Sequence, residues 1–315
     1  MANFFISFNV VFPIFLMMLL GFFLKKTNIV GDVTVRQVNN VIFRVFLPLM
    51  IFKNIYDSKI TEVFDIKLIL FAAISVLSCI ALLFVIIPLV EKDNKKRGVM
   101  IQGIFRSNFV IFGMPITQAL CGSAVSGSAS VLVAIIVPIF NFFAVVTLEI
   151  FNSAKPNFLK ILKGIATNPL IIASALGIVF GLSGIKFPSV IESSIGTVAS
   201  IATPLALVML GASINFGTVG ANRWHIIGVV SARLVIVPAI FVCLAALVFG
   251  FRGKELAILL AMFATPTAVS SFTMTQQIGG DDDLAGQIVM FGTVASVITM
   301  FLWIFVTVQL GWIGK

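Results

Sequence analysis

Apolar stretches continue from one end of this chain to the other, and no polar span is long enough to fold as a separate soluble domain. A helix that crosses a bilayer needs about 20 predominantly apolar residues. The pattern predicts ten such spans, at 4–24, 36–53, 67–90, 98–119, 126–150, 168–184, 194–214, 224–249, 255–278 and 284–310. Their connections are short. The longest, 152–167, carries Lys155, Lys160 and Lys163 and divides the spans five and five. Two spans are interrupted. The fourth contains Arg106, Asn108, Gly113 and Pro115, and the ninth contains Thr265, Pro266, Thr267, Ser270 and Ser271. Proline removes a backbone donor and clashes with the preceding turn, so a helix breaks there. In hydrocarbon each orphaned backbone group costs several kcal/mol unless protein, water or a ligand satisfies it. A pair of interrupted segments in corresponding positions of two halves points to a transporter binding site.

Proline placement predicts a repeat. Pro13 and Pro48 recur at Pro169 and Pro204, each 156 residues on, as Gly21 recurs at Gly177; Pro115 and Pro266 differ by 151, one short gap away from that register. With five spans per half, the second half enters the membrane from the opposite side, so the repeat is inverted. The expected fold class is an all-α integral membrane protein: ten transmembrane helices in two inverted five-helix repeats, residues 1–151 and 168–315, joined by a short cytoplasmic linker at 152–167. Helices four and nine are expected to be broken and to cross near the midplane.

Composition strengthens this picture. The 315 residues are 60% hydrophobic and 10% charged, with a mean hydropathy of +1.16, whereas soluble domains are nearer a quarter charged. The first apolar stretch has neither a basic leader nor a small-residue cleavage site, so it is expected to be a retained helix. The net charge of +9 is expected to be topological. Placing the N-terminus outside puts eleven Lys and Arg on the cytoplasmic side and seven on the other, which favours both termini outside. No nucleic-acid motif accompanies the charge. Cys79, Cys121 and Cys243 lack metal-type spacing, and neither a metal site nor a cofactor is expected.

Several of these stretches are similar to a known family, the auxin efflux carrier family of membrane permeases. They are Asn108 through Pro115, Pro204 through Ala212, Asn168-Pro169, Arg233 followed by Pro238, and Asp283-Leu284-Ala285. The resemblance spans essentially the whole chain. It implies the fold type of bile-acid sodium symporters and sodium–proton antiporters, with a scaffold of helices 1, 2, 6 and 7 and a transport part of helices 3–5 and 8–10. It also implies a substrate-site role for Asn108 and homodimerisation through the scaffold. The short 152–167 connection favours a malate- or malonate-permease-like bacterial member in the inner membrane over a plant hormone carrier.

The expected activity is secondary transport of small organic anions, carboxylates, by alternating access; an auxin-like aromatic acid carrier and an anion channel of the same architecture are the alternatives. A helix broken at the midplane offers backbone N–H groups at the start of its second half, a preorganised anion site. Arg106, Asn108, Gly113, Pro115, Thr265, Pro266, Thr267 and Ser270 are the substrate-site candidates. Arg44, Arg106 and Arg233 lie about eight to ten residues into their spans, or roughly 12–15 Å deep. At that depth an arginine faces a cavity or a partner, or snorkels to the surface. Arg106 is the candidate for pairing a substrate carboxylate, because a guanidinium matches a carboxylate bidentately. Asn141, Glu149 and Arg233 are candidates for coupling or gating. No Asp or Glu lies near the middle of any span, which disfavours sodium–proton antiport and leaves proton and sodium coupling both open. No in-span Ser/His or paired Asp constellation suggests an enzyme.

Overall fold

The structure, a computed structural model, describes residues 2–58, 65–122, 126–152, 158–213 and 216–313, with side chains for all but 2–11, 14, 126–127 and 158–161. Among the described residues the regular structure is helical, and the only strand-like feature is an isolated antiparallel bridge between Ser107 and Thr267. The helices are α1 (Ala2–Lys26), α2 (Asp32–Tyr56), α3 (Ile66–Val90), α4 (Asn94–Phe105), α5 (Phe109–Cys121) and α6 (Ser126–Asn152). After them come α7 (Phe158–Thr167), α8 (Pro169–Ser183), α9 (Ser189–Ser213), α10 (Val219–Leu247), α11 (Gly253–Ala264), α12 (Ser270–Ile278) and α13 (Asp282–Gln309). The expected linker therefore contains a helix of its own, α7. Its basic Lys163 and apolar Ile165 suit an interfacial position.

Six of these helices are long and apolar enough to cross a membrane, and α5 and α8 are shorter apolar helices. The distribution of side chains shows which solvent surrounds them. Leu89, Val85 and Val190 are 80%, 65% and 75% exposed, whereas Arg106, Asn108, Asn141, Arg233 and Thr265 are buried. Large apolar residues outside and polar residues inside reverse the arrangement of a soluble domain. This is an integral membrane protein.

Helix ends are set by short polar side chains. Asp65, Asp93 and Asp281 accept from the backbone N–H groups of Leu68, Lys95 and Leu284, and Asn168 accepts from Leu170 and Ile171 just before Pro169 opens α8. Each such cap satisfies a donor that the helix itself cannot.

Inside the helices, proline decides the geometry. Three π turns, Ile42–Phe46, Phe109–Gly113 and Ala232–Ile236, each end two residues before a proline: Pro48, Pro115 and Pro238. The proline ring cannot accommodate the carbonyl four residues back and offers it no N–H, so the turn widens. The carbonyl freed by Pro238 belongs to Leu234, and the Trp303 indole N–H takes it at 2.9 Å.

Glycines set the closest helix approaches. A Cβ at Gly21 on α1 would lie 1.8 Å from the Val208 carbonyl oxygen on α9, and one at Gly211 would lie 1.9 Å from that of Met18. On the other side of the molecule, Gly177 of α8 faces the Phe52 carbonyl of α2, with its Cβ position 3.1 Å away. Thus α1 packs on α9 and α8 packs on α2.

Candidate functional site

The site is built by the two broken helices. After α4 the chain turns extended at Arg106 (φ −86°, ψ 100°) and re-enters a helix at Phe109; after α11 it turns extended at Thr265 (φ −72°, ψ 153°) and re-enters at Ser270. The two extended segments run antiparallel and hydrogen-bond to each other. Asn108 N–H donates to the Pro266 carbonyl at 2.8 Å, and Ala268 N–H donates to the Arg106 carbonyl at 3.1 Å. Pairing the breaks with each other removes two donors and two acceptors from the list of groups that hydrocarbon would leave stranded.

The remaining carbonyls at the ends of α4 and α11 are met by side chains. Thr267 Oγ1 donates to the Gly103 carbonyl at 2.6 Å. Arg233, buried on α10, donates from Nε to Thr265 O at 2.9 Å, from Nη2 to Met262 O at 2.9 Å and from Nη1 to Ile104 O at 3.1 Å. The Met262 carbonyl is free because the residue four positions on is Pro266. The Ile104 carbonyl is free because Asn108 N–H has gone to Pro266. Arg233 was a coupling or gating candidate; the structure places it behind the crossing, on its carbonyl side.

The opposite side of the crossing faces a small cleft of about 50 Å³. By the measure in which one water needs about 10–15 Å³, it has room for a few waters. One wall is the crossing itself, with Arg106, Ser107, Asn108 and the first turn of α5, and with Ala268, Val269 and Ser270 leading into α12. The other walls come from α2 (Met50, Asn54), α6 (Phe140, Asn141) and α9 (Thr203, Ala206). Both helix starts lie at the cleft. On α12 the Ser271 and Phe272 N–H groups turn back to the Ala268 and Val269 carbonyls, whereas on α5 the first N–H group with a backbone acceptor ahead of the helix is that of Phe112, to Asn108.

Arg106 lines this cleft and is 3% exposed. Its Nη2 donates to Asn141 Oδ1 at 2.6 Å, and its Nη1 lies 3.6 Å from Met274 Sδ. No described carboxylate pairs with it. Around it, Asn108 Nδ2, Asn141 Nδ2 and Ser107 Oγ are buried without a protein partner. An unsatisfied buried donor costs about 1–3 kcal/mol, so this cluster favours an acceptor-rich guest or water.

The sequence candidates divide accordingly. Arg106, Asn108, Ser270 and Asn141 come together in the cleft. Thr265, Pro266 and Thr267 shape the crossing rather than line the cleft, and Thr265 Oγ1 is buried without a partner. Gly113 lets α5 press on α11: a Cβ there would lie 3.1 Å from the Ala261 carbonyl and 2.4 Å from the Phe109 ring. Pro115, expected to break the fourth span, instead follows a π turn inside the continuous helix α5 and does not line the cleft. The break lies earlier, at Arg106–Asn108, where the backbone N–H of Asn108 pairs with the facing break. Glu149 lies apart, in a cavity of about 510 Å³ with Arg44, Asn168 and Gln277. Sequence reasoning missed Ser107, Asn54 and Thr203. Ser107 sat between two residues already singled out. Asn54 and Thr203 sit on helices without breaks, and only packing brings them to the crossing.

The residues matched by the model of the membrane transport protein family are 6–160 and 155–304. This chain belongs to that family. The resemblance to auxin efflux carriers drawn from Asn108–Pro115 and Pro204–Ala212 agrees with this membership. The transporter is 25% identical, over 98% of its own length and 99% of the relative's, to an uncharacterized transporter of Methanocaldococcus jannaschii. It is 23% identical, over 94% and 97%, to an uncharacterized transporter of Methanothermobacter thermautotrophicus. A membrane transporter with a bilayer around it and a transported substrate is thereby established.

Proposed function

We propose that this transporter carries small organic anions, carboxylates in the first place, by alternating access around the crossed broken helices. The observation that carries the reading is the chemistry of the cleft. It presents a guanidinium, two helix starts and the unpartnered donors of Asn108, Asn141 and Ser107, and no described acidic side chain lines it. Helix starts carry roughly half a positive charge each, and in a dry site such dipoles attract an anion far more strongly than in water. A carboxylate would supply acceptors to all of these groups at once.

The inverted five-helix repeat is part of the same proposal. The reciprocal packing of α1 on α9 and of α8 on α2 supports it, and so does the numbering of the contacts. Gly21 meets Val208 and Gly177 meets Phe52; 177 minus 21 and 208 minus 52 are both 156. A two-fold relation between the halves turns one contact into the other. On this reading α1, α2, α8 and α9 are the scaffold, and the cleft lies where α2 and α9 meet the crossing, which is where a sliding transport part would open and close it.

On this reading the cleft continues toward one end of the molecule. Asn54 and Val110 line both the cleft and a cavity of about 140 Å³ that also touches Asp57 and Ser130. At the other end, Lys25, Arg36 and Asp282 line a polar cavity of about 340 Å³ that shares no lining residue with the cleft. The proposal takes the Asp57 end as the outer one, with both termini there, which the charge count favours.

The test is uptake into proteoliposomes of a panel of mono- and dicarboxylates, with pH and sodium gradients imposed separately. Arg106→Ala is expected to lower carboxylate uptake at least tenfold, about 1.4 kcal/mol, with membrane expression unchanged. Carboxylate flux equal to wild type in that variant, or no flux of any carboxylate in wild type, would overturn the reading.

A further inference from the structure

At each break a helix ends as well as begins, and the ends carry the opposite sign. The last carbonyls of α4 and α11 converge behind the crossing, where helix dipoles concentrate partial negative charge. Carbonyl oxygens of half-helix ends inside a membrane form the ligand set that a small hard cation accepts in place of its water shell. Here that position is filled by the protein itself. The Arg233 guanidinium donates to carbonyls of both half-helices, Met262 and Thr265 on one and Ile104 on the other, and a longer contact of 3.5 Å reaches Phe105 O. No described carboxylate pairs with Arg233, so these carbonyls are the counter-charge.

We infer that Arg233 is a resident cation: its guanidinium permanently occupies the cation position of the crossing, so the two half-helix ends hold together without a bound sodium ion. Arg233 then acts through the backbone it positions, on the face opposite the anion cleft, and touches no substrate. Three observations favour a fixed charge over simple packing. Each hydrogen bond goes to a carbonyl released by a break rather than to one already in a helical ladder. Both breaks are engaged by one side chain. The planar fork of arginine reaches three such oxygens at 2.9 to 3.1 Å, which a lysine point charge does not match in geometry although it matches in sign.

The inference is independent of the substrate class, so its test reads stability rather than transport. The purified full-length protein is unfolded thermally in choline, sodium and guanidinium chloride at matched low ionic strength. Wild type is expected to unfold at the same temperature in choline and in sodium. Arg233→Ala is expected to unfold several degrees lower in choline and to recover most of that loss, saturably, with millimolar sodium or guanidinium. Arg233→Gln, which keeps more of the side chain's bulk, should respond to cations in the same direction, and Arg233→Lys should stay indifferent to sodium. A neutral variant as stable as wild type in choline would overturn the inference, as would one that sodium and guanidinium both fail to restore. So would an Arg233→Lys variant as impaired as the neutral ones, or a saturable sodium effect equal in wild type and Arg233→Ala.

Discussion

Individual side chains in this transporter are best understood by asking which backbone group each one completes. Trp303 and Arg233 do for Pro238 and Pro266 what a main-chain N–H would have done, since each takes a carbonyl that a proline left free. Trp303→Phe keeps an aromatic side chain but loses the pyrrole part of the indole and its N–H donor. It is expected to cost about 1–3 kcal/mol by stranding the Leu234 carbonyl, read as a lower thermal midpoint with transport per folded molecule unchanged. Arg106 differs, because it completes no helix end and leaves neighbouring donors unpartnered. An arginine inside a membrane span, where its placement costs about 2.5–3.5 kcal/mol, with only an amide and a thioether as side-chain partners, has capacity left for a guest. From the chain alone, Arg106 was the carboxylate-pairing candidate and Arg233 a coupling or gating candidate, with nothing to say what either would touch. Their separation came with the contacts: one faces the helix starts and the other the helix ends.

At the scale of elements, prolines mark where helices widen and, at Pro266, where one stops, and glycines govern where they touch. Three π turns keep the same two-residue distance from their prolines, so the regularity is in the sequence, while the outcome depends on what surrounds each one. Pro48 and Pro238 stay inside continuous helices. Pro266 sits in a full break, where a facing break supplies the missing partners. For the glycines, Gly21→Ala is expected to destabilise more than Gly31→Ala, whose added methyl meets nothing within 4 Å, because the Gly21 methyl would collide with rigid backbone at Val208. Differential scanning fluorimetry of the two variants in detergent makes the comparison, and equal midpoints would contradict the close α1–α9 contact.

For the whole molecule, polar bridges tie elements together at the end that carries Lys25 and Arg36. Asn39 on α2 donates to Gln276 on α12 at 2.8 Å, and Gln276 donates on to Asp282 of α13 at 3.3 Å. This link joins α2, α12 and α13 beside the cavity lined by Lys25 and Arg36, and on the proposed alternating-access reading it would hold that end closed. Asn39→Ala removes the donor and is expected to shift the population toward opening at that end. In a cysteine-free background, Thr203→Cys on the cleft wall should then react faster with an impermeant thiol reagent applied from the Lys25 side. Unchanged labelling from that side would mean that the bridge does not hold the closed end.

The sequence alone determined the membrane as solvent, the all-helical class, which two spans are broken and, at Pro266, where the second break falls. The first break lies at Arg106–Asn108, upstream of the Pro115 that was expected to cause it. Hydrocarbon permits few backbone arrangements, and a proline always removes one helical hydrogen bond, whether the helix then widens or stops. It also marked Asn108, Ser270 and Arg106 as candidate site residues, since polar groups in an apolar span need a reason to be there. Only the tertiary structure decided that the two breaks hydrogen-bond to each other, that Arg233 serves the carbonyl side while Arg106 serves the amide side, and that Asn54 and Thr203 join the cleft. Those facts depend on helices remote in the chain meeting at one point, and residue spacing along a helix carries no information about what that helix will face.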